Sequence, residues 1–452
     1  MVSGEVSLLH RAWSSLESSQ QTIFEGTLQV LSQKLSIAAT RAERETKTKG
    51  HTWAKWKYAL WAKRSIDSAI ADLESWQRIF GPSWYTVIVL PSVSHVDPIL
   101  KDQERANVVA QRTRRLRDLG LGRTDKGPSV FLPSDKLDSG RRLTIRYTST
   151  QAIVAMLSQG PPKTFMLDTV TYETNPDREQ LRKDVRDLAQ KLRNCDPDSF
   201  GLLQCSGVVS LPNPEIPAGK SFSFVYKYPP GLENPKSLRE ILIGGDQSGS
   251  LSNRIKIAKQ IATAVSYIHA FGFVHKNLRP ETIMVFGNAR TEIESAFVVG
   301  FERFRLAAGK TLRSSDADWH KNLYRHPQRQ HVNPEKDYIM QHDIYSLGVC
   351  LLEIGLGKTF VGYDTQGHSV SASDPSISIF RNGLGGVKDA LKVKDALVEI
   401  AKTRLPCKVG DRYAHVVVNC LTCLDETNLD FGNSEDFRMR TESLSEWSTS
   451  KR

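Results

Sequence analysis

The stretch from Ser250 to Val285 constrains the fold of this chain more than any other. Ile255, Ala258, Ile261, Val265 and Ile268 recur at helical spacing up to Ala270, with Ser252 as a candidate N-cap and Gly272 just past the end. Such a helix delivers the chain directly into Phe273–Val285, FVHKNLRPETIMV. There a histidine and a proline followed by an acid sit between apolar residues. A second element of the same half, DIYSLGVCLLEIGLG, runs from Asp343 to Gly357.

The 452 residues suffice for two or three domains, and the apolar content of 39% allows buried cores. A formal charge of +11 favours contact with something acidic, although much of any such excess is simply solvated. The six cysteines, Cys195, Cys205, Cys350, Cys407, Cys420 and Cys423, are too few and too scattered for a disulfide framework, which points to an intracellular, cytoplasmic compartment. Cys420 and Cys423 form a CxxC inside the apolar run VVVNCLTCL, without a second pair or a histidine cluster. They read as core cysteines on a helix. The first residues lack a charged region followed by an apolar one, so no signal peptide is expected. The longest apolar stretch, Trp84 to Leu90, is far shorter than the ~20 residues that span a bilayer.

Residues 1–118 read as helical. Leu9, Leu16, Ile23 and Val30 recur every seven residues, as on a bundle helix, and a second long helix runs from a Thr52 cap to Gly81. In it Trp53, Trp56 and Trp61 alternate with Lys55, Lys57, Lys63 and Arg64. Two readings stand: bundle core with solvated lysines, or a face for a membrane interface or a docking partner. A third helix, from Asp102 to Arg117, carries the cluster RTRRLR, either a solvated face or an anionic-surface patch. Glycine, proline and charge over 119–129 suit a linker. Residues 50–118 are similar in composition to the HeLo and HeLo-like helical domains of fungal cell-death proteins.

Between 130 and 230, short runs such as LTIRYTS, FMLDTVTYE, LLQCSGVVSL and FSFVYKYP alternate apolar and polar residues and read as strands, interrupted by a helix from Asp177 to Arg193. Further helices close the chain before 425, and 426–452 reads as a disordered acidic tail. The fold class expected is α+β, a helical bundle followed by a two-lobed domain with lobes at 130–230 and 231–425.

Position by position, Phe273–Val285 resembles the catalytic loop of eukaryotic protein kinases, H-R-D-L-x-x-x-N, and Asp343–Gly357 resembles the core helix of that family, D-x-W-S-x-G-x-x-L-x-E. The resemblance places His275 at the motif's histidine, Asn277 at its catalytic aspartate, Arg279 at its lysine and Thr282 at its metal-binding asparagine. Gly300, Phe301 and Glu302 stand where D-F-G would, so the magnesium-binding carboxylate is absent, with Glu302 as a distant substitute. Lys227, Tyr228 and Pro229 are a possible adenine hinge. Asp343 is implied to hold the catalytic loop's backbone, and Arg412 to bond Gln328, which replaces the glutamate of A-P-E. No G-x-G-x-x-G lies between Ser139 and Thr174, and FMLDTVTY occupies the place of V-A-I-K without a lysine, Lys163 falling in the loop before it.

An amide can bond a substrate hydroxyl but cannot take its proton at neutral pH. The resemblance therefore implies a pseudokinase signalling protein, its kinase-like domain serving as a docking or switch module for a helical effector domain in a cell-death role. No metal is expected, and ATP and magnesium remain doubtful cofactors. An unconventional ATP-dependent kinase that recruits Glu281, Glu302 or Lys163 is the alternative, and a basic helical protein that binds membrane surfaces is another. The partners expected are a protein or a second copy through the helical domain, or an anionic membrane surface with peripheral association. Nucleic acid lacks a supporting motif.

Overall fold

In this computed structural model the described residues are scattered positions between 9 and 40, then 96–103, 108–120, 129–134, 141–155, 163–170, 178–212, 220–244, 250–288, 291–301, 305–306, 318–330, 337–364, 369–372 and 387–428. The tryptophan-rich segment 52–81, Glu302 and the tail beyond 428 lie outside them. The chain divides into two compact units, Met1–Asp125 and Lys126–Arg452.

In the first unit, α1 (Val96–Gln103) and α2 (Val108–Gly120) are helical. Leu9, Phe24, Leu100, Ala110 and Leu116 are buried. Arg117 is buried as well and pairs with Asp97. The RTRRLR cluster is thus not wholly a surface patch: Arg115 is exposed, while Arg117 faces inward because Asp97 neutralises it there.

The second unit begins with a six-stranded sheet. Its strands are β1 (Phe131–Leu132), β2 (Arg141–Thr144), β3 (Gln151–Ala155), β4 (Lys163–Val170), β5 (Cys205–Pro212) and β6 (Lys220–Lys227), in the spatial order β1-β5-β6-β4-β3-β2. The run LTIRYTS is not one strand. It ends β2 at Thr144 and turns through Tyr147, whose φ of 56° breaks the extended path, before β3 starts at Gln151. Lys163 opens β4 and is not a loop residue.

Alternation puts Phe165 and Leu167 on one sheet face, in a cluster with Ile153, Val209 and Val225. Thr164, Met166 and Asp168 take the other. Across β6 Met166 faces Tyr226 and Asp168 faces Phe224. The helix α3 (Arg178–Arg193) buries Leu181, Val185, Leu188 and Leu192, a stripe at helical spacing. Near its C-terminus Lys191 donates to the Phe271 carbonyl at 2.5 Å, tying α3 to the helical part of the domain.

After a short α4 (Pro197–Phe200) and the sheet, β7 (Leu232–Ser237) leads into α5 (Leu238–Ile243) and the long α6 (Leu251–Ala270). The cap of α6 is Ser250, whose hydroxyl accepts from Asn253 N at 3.2 Å, and not Ser252, which lies inside the helix. Then come β8 (Phe273–Val274), a 3-10 turn at Pro280–Thr282, and the strands β9 (Ile283–Asn288) and β10 (Thr291–Val298), which pair with β7 in the order β10-β9-β7. β11 (Arg305–Leu306) pairs with β8.

The domain continues with α7 (Trp319–Asn322), α8 (Met340–Leu356), the hairpin β12 (Val361–Tyr363) and β13 (Ser369–Ala372), then α9 (Val387–Val409) and α10 (Asp411–Leu421). α8 is buried on every side from Tyr345 to Leu356, so it is the post around which the helical lobe packs. Cys420 and Cys423 are buried free thiols, and Cys407 is exposed. No helix among the described residues is long and apolar enough to cross a membrane.

Candidate active-site cleft

The loop after β8 is held by one buried carboxylate. Asp343, in the first turn of α8, accepts the backbone N–H of His275 at 2.8 Å and of Lys276 at 3.0 Å, together with the Tyr338 hydroxyl at 2.6 Å and a contact from His269 Nε2 at 3.0 Å. Burial alone would raise its pKa. Hydrogen bonding and positive charge from His269 outweigh that and hold the carboxyl at about 2. Lys276 tolerates a φ of 65° there because both flanking amides are fixed.

His275 is fully buried, and its Nδ1 accepts the Asn277 N–H at 3.3 Å while Nε2 faces the Val299 carbonyl at 2.9 Å. That pattern requires the Nε2–H tautomer, with the ring acting as a strut. Asn277 is spent on its neighbours: its amide donates weakly to the Gly300 carbonyl at 3.5 Å, and its oxygen accepts from Arg279 Nε at 3.1 Å. Thr282 Oγ1 shares its hydrogen between the carbonyls of Asn277, at 3.0 Å, and Arg279, at 2.9 Å, and accepts the Arg279 N–H. The Thr282 side chain also packs on Gly300, where an added Cβ would come within 2.3 Å of its Cγ2. The loop positions singled out in the sequence are therefore brought together, and their polar atoms are turned on one another.

Sequence reading missed the acid that completes the cleft. Asp168, in the middle of β4, is fully buried, and its Oδ2 accepts the Gly300 N–H at 2.8 Å and the Phe301 N–H at 2.9 Å. It reaches from the sheet to the segment after β10. The signal was present as a lone acid inside the apolar run FMLDTV. Phe301 is buried beside the His275 ring, with centroids 4.8 Å apart.

A second internal acid pair is also saturated. Arg239 of α5, fully buried, places Nε 3.1 Å from Glu281 and Nη1 3.1 Å from Glu353, with Nη2 donating to the Tyr324 hydroxyl at 2.5 Å. Tyr324 in turn donates to Glu353 at 2.8 Å, and Tyr363 donates to Glu281 at 2.8 Å. Burial tends to raise the Glu281 carboxyl, but the guanidinium groups of Arg239 and Arg279 draw it down to about 2. Glu353 moves the other way, pushed up by burial that Arg239 only partly offsets. Glu281 is accordingly a framework acid and is not available for recruitment.

Arg412 does not take the role expected of it. It is exposed at the start of α10, and among the described residues no hydrogen bond joins it to Gln328. Arg239, a buried guanidinium, instead has two carboxylates to neutralise where Gln328 offers none.

In the segment that the resemblance implies as a hinge, Lys227 gives its N–H to the Gln204 carbonyl at 3.0 Å and its ammonium to the Gln204 side chain. Pro229 has no N–H, and its carbonyl accepts from Leu232 N at 3.2 Å. An open groove of about 1030 Å³ runs past Leu143, Thr164, Phe165, Lys227, Tyr228 and Pro229. On the sheet face that carries Asp168, Met166 and Tyr226 are buried, as is Met284 of β9. Among the described residues no group of three or more His, Cys, Asp or Glu side chains is placed to hold a metal ion.

A sequence model of the family described as protein tyrosine and serine/threonine kinase matches residues 222–367. The chain is 27% identical over 115 residues, 25% of its length and 20% of the relative's, to MAP kinase kinase MKK1/SSP32 of Saccharomyces cerevisiae. It is 25% identical over 168 residues, 35% of its length and 23% of the relative's, to leaf rust 10 disease-resistance locus receptor-like protein kinase-like 1.3 of Arabidopsis thaliana. The chain thus spans about a fifth of the length of these curated relatives. From the sheet's last strand to the hairpin after the core helix, this chain carries a protein-kinase-like domain.

Proposed function

We propose that the kinase-like domain is non-catalytic and works as a docking or switch module for the helical N-terminal unit in signalling. The observation that carries this reading is the Asp168 carboxylate. It lies on β4, in the run FMLDTVTY that the resemblance sets in the place of V-A-I-K and its phosphate-binding lysine, and it is bound to the amides of Gly300 and Phe301. A negative charge there opposes a triphosphate instead of attracting it.

The neighbouring groups support the same conclusion. Asn277 is no base, Gly300 has no side chain to ligate a metal, and the Thr282 hydroxyl is committed to backbone carbonyls. These residues do not fit Mg·ATP. Loss of a general base alone costs a kinase about 10²–10⁴-fold in rate, and loss of metal and phosphate handling multiplies that.

The test is nucleotide binding by the purified chain, followed by thermal shift and by fluorescent ATP displacement, with and without magnesium. No binding and no phosphotransfer to a generic protein substrate is the expected result. Magnesium-dependent ATP binding together with phosphotransfer that Asn277→Ala abolishes overturns the reading.

A further inference from the structure

We infer that the Gly300–Phe301 turn is an anion-binding nest for a small oxyanion, a carboxylate or a phosphate, and that Asp168 is its resident occupant. This rests on the reading above that Asp168 fills the cleft, and it goes further in assigning a ligand class to the turn. Two consecutive N–H groups converge on one oxygen, Asp168 Oδ2, at 2.8 and 2.9 Å. Convergence of successive amides is the geometry by which backbone alone binds anions, and it needs one residue at positive φ. Gly300 supplies it with φ 79°.

The turn cannot readily be rearranged. The Gly300 carbonyl receives the Asn277 amide, and Thr282 abuts the Gly300 Cα so closely that no side chain fits there. Val299 N–H is fixed by the Thr282 carbonyl at 2.9 Å, and the Val299 carbonyl by His275. The donors are therefore set by the C-terminal lobe, whereas the anion comes from β4, more than 130 residues earlier in the chain. Removing the carboxylate leaves two aligned, buried donors and a space the size of a carboxyl group. Charge-assisted bonds to such donors are stronger than neutral ones, so a small oxyanion is a better occupant than water.

The experiment compares the full-length wild type with Asp168→Ala in thermal unfolding. Sodium formate and sodium phosphate, each at about 100 mM, are set against sodium chloride of equal ionic strength. Formate is expected to raise the midpoint of Asp168→Ala by about 4 °C or more over chloride while leaving the wild type unmoved. A matching response to phosphate extends the class from carboxylates to phosphates. An equal shift of both proteins, or no shift of the variant, overturns the assignment. Where Asp168→Ala does not fold in chloride, refolding yield is the readout: recovery in formate supports the nest, and none overturns it. Magnesium-dependent ATP binding with phosphotransfer by the wild type would overturn the proposed function without touching this result, so the two readings fail separately.

Discussion

The ring of Tyr147 stands edge-on against that of Tyr363, with centroids 4.9 Å apart and planes at 64°. The first belongs to the turn between β2 and β3, the second to the β12 hairpin, so the pair joins the six-stranded sheet to the helical lobe. Beside it Ser237 donates its hydroxyl to the Arg146 carbonyl at 2.7 Å while accepting the Glu240 N–H that caps α5. Tyr147 holds this position at φ 56°, a left-handed conformation that costs a side-chain-bearing residue about 1–2 kcal/mol and glycine almost nothing.

This predicts an inverted ranking at position 147. Both Tyr147→Ala and Tyr147→Gly lose an aromatic pair worth about 0.5–1.5 kcal/mol, but only glycine relieves the backbone. Tyr147→Gly is expected to be more stable than Tyr147→Ala by about 1 kcal/mol in urea unfolding. Alanine equal to or better than glycine would show that the turn is not held left-handed in solution.

Arg239, itself fully buried, neutralises the buried carboxylates of Glu281 and Glu353. Removing one partner from a buried ionic network costs about 3–5 kcal/mol, because the remaining charges keep their desolvation penalty. Arg239→Met, similar in length and uncharged, is expected to lower stability by that amount. Arg239→Met combined with Glu281→Gln and Glu353→Gln is expected to recover a large part of it. Urea midpoints of wild type and these two variants measure this, and a single variant within about 1 kcal/mol of wild type would refute the ionic account.

The parts of the chain legible in the sequence were those where side-chain pattern and backbone role coincide. α8 is apolar from Leu347 to Leu352, where every residue is buried, and α6 shows its face at helical spacing. Asp343 could be assigned by resemblance, and the structure puts its carboxylate on the loop amides. Less legible were features that depend on contacts distant in sequence. Asp168 looks like a defect in a strand until the Gly300 turn is brought against it. Only the fold places two acids around Arg239, whereas Arg412, implied by the resemblance to bond Gln328, is left exposed. The break in LTIRYTS was concealed because a positive φ at tyrosine leaves no trace in composition.

Acid stability should carry the mark of Asp343 and Glu281. Both are held at about 2 in the folded chain, against ordinary values of about 3.9 and 4.3. The unfolded chain therefore binds more protons between about pH 2 and 4.5. Their stabilisation is complete above that window and is lost as the pH falls through it. Glu353, shifted upward, works in the opposite sense and reduces the total slope. Asp343→Asn is expected to remove up to about 1.4 kcal/mol per pH unit from the slope between pH 4 and 2.5, measured by urea unfolding at each pH. An unchanged slope would mean that Asp343 titrates normally.

Thr282 packs directly against Gly300. A Cβ at Gly300 would lie 2.3 Å from Thr282 Cγ2 and 2.6 Å from its Cβ, on a backbone at φ 79° that disfavours any side chain. Thr282 is buried and tied by its hydroxyl to the loop, so it cannot swing away. Gly300→Ala is expected to cost about 2–4 kcal/mol, the sum of left-handed strain and overpacking. Replacing Thr282 by glycine removes the steric part but not the backbone part, so Gly300→Ala should cost at least about 1 kcal/mol less in a Thr282→Gly background than in wild type. Stability measurements on the four corners of that cycle read the coupling directly. Additive costs would show that the two residues do not touch, and the turn that presents the amides to Asp168 would then need another support.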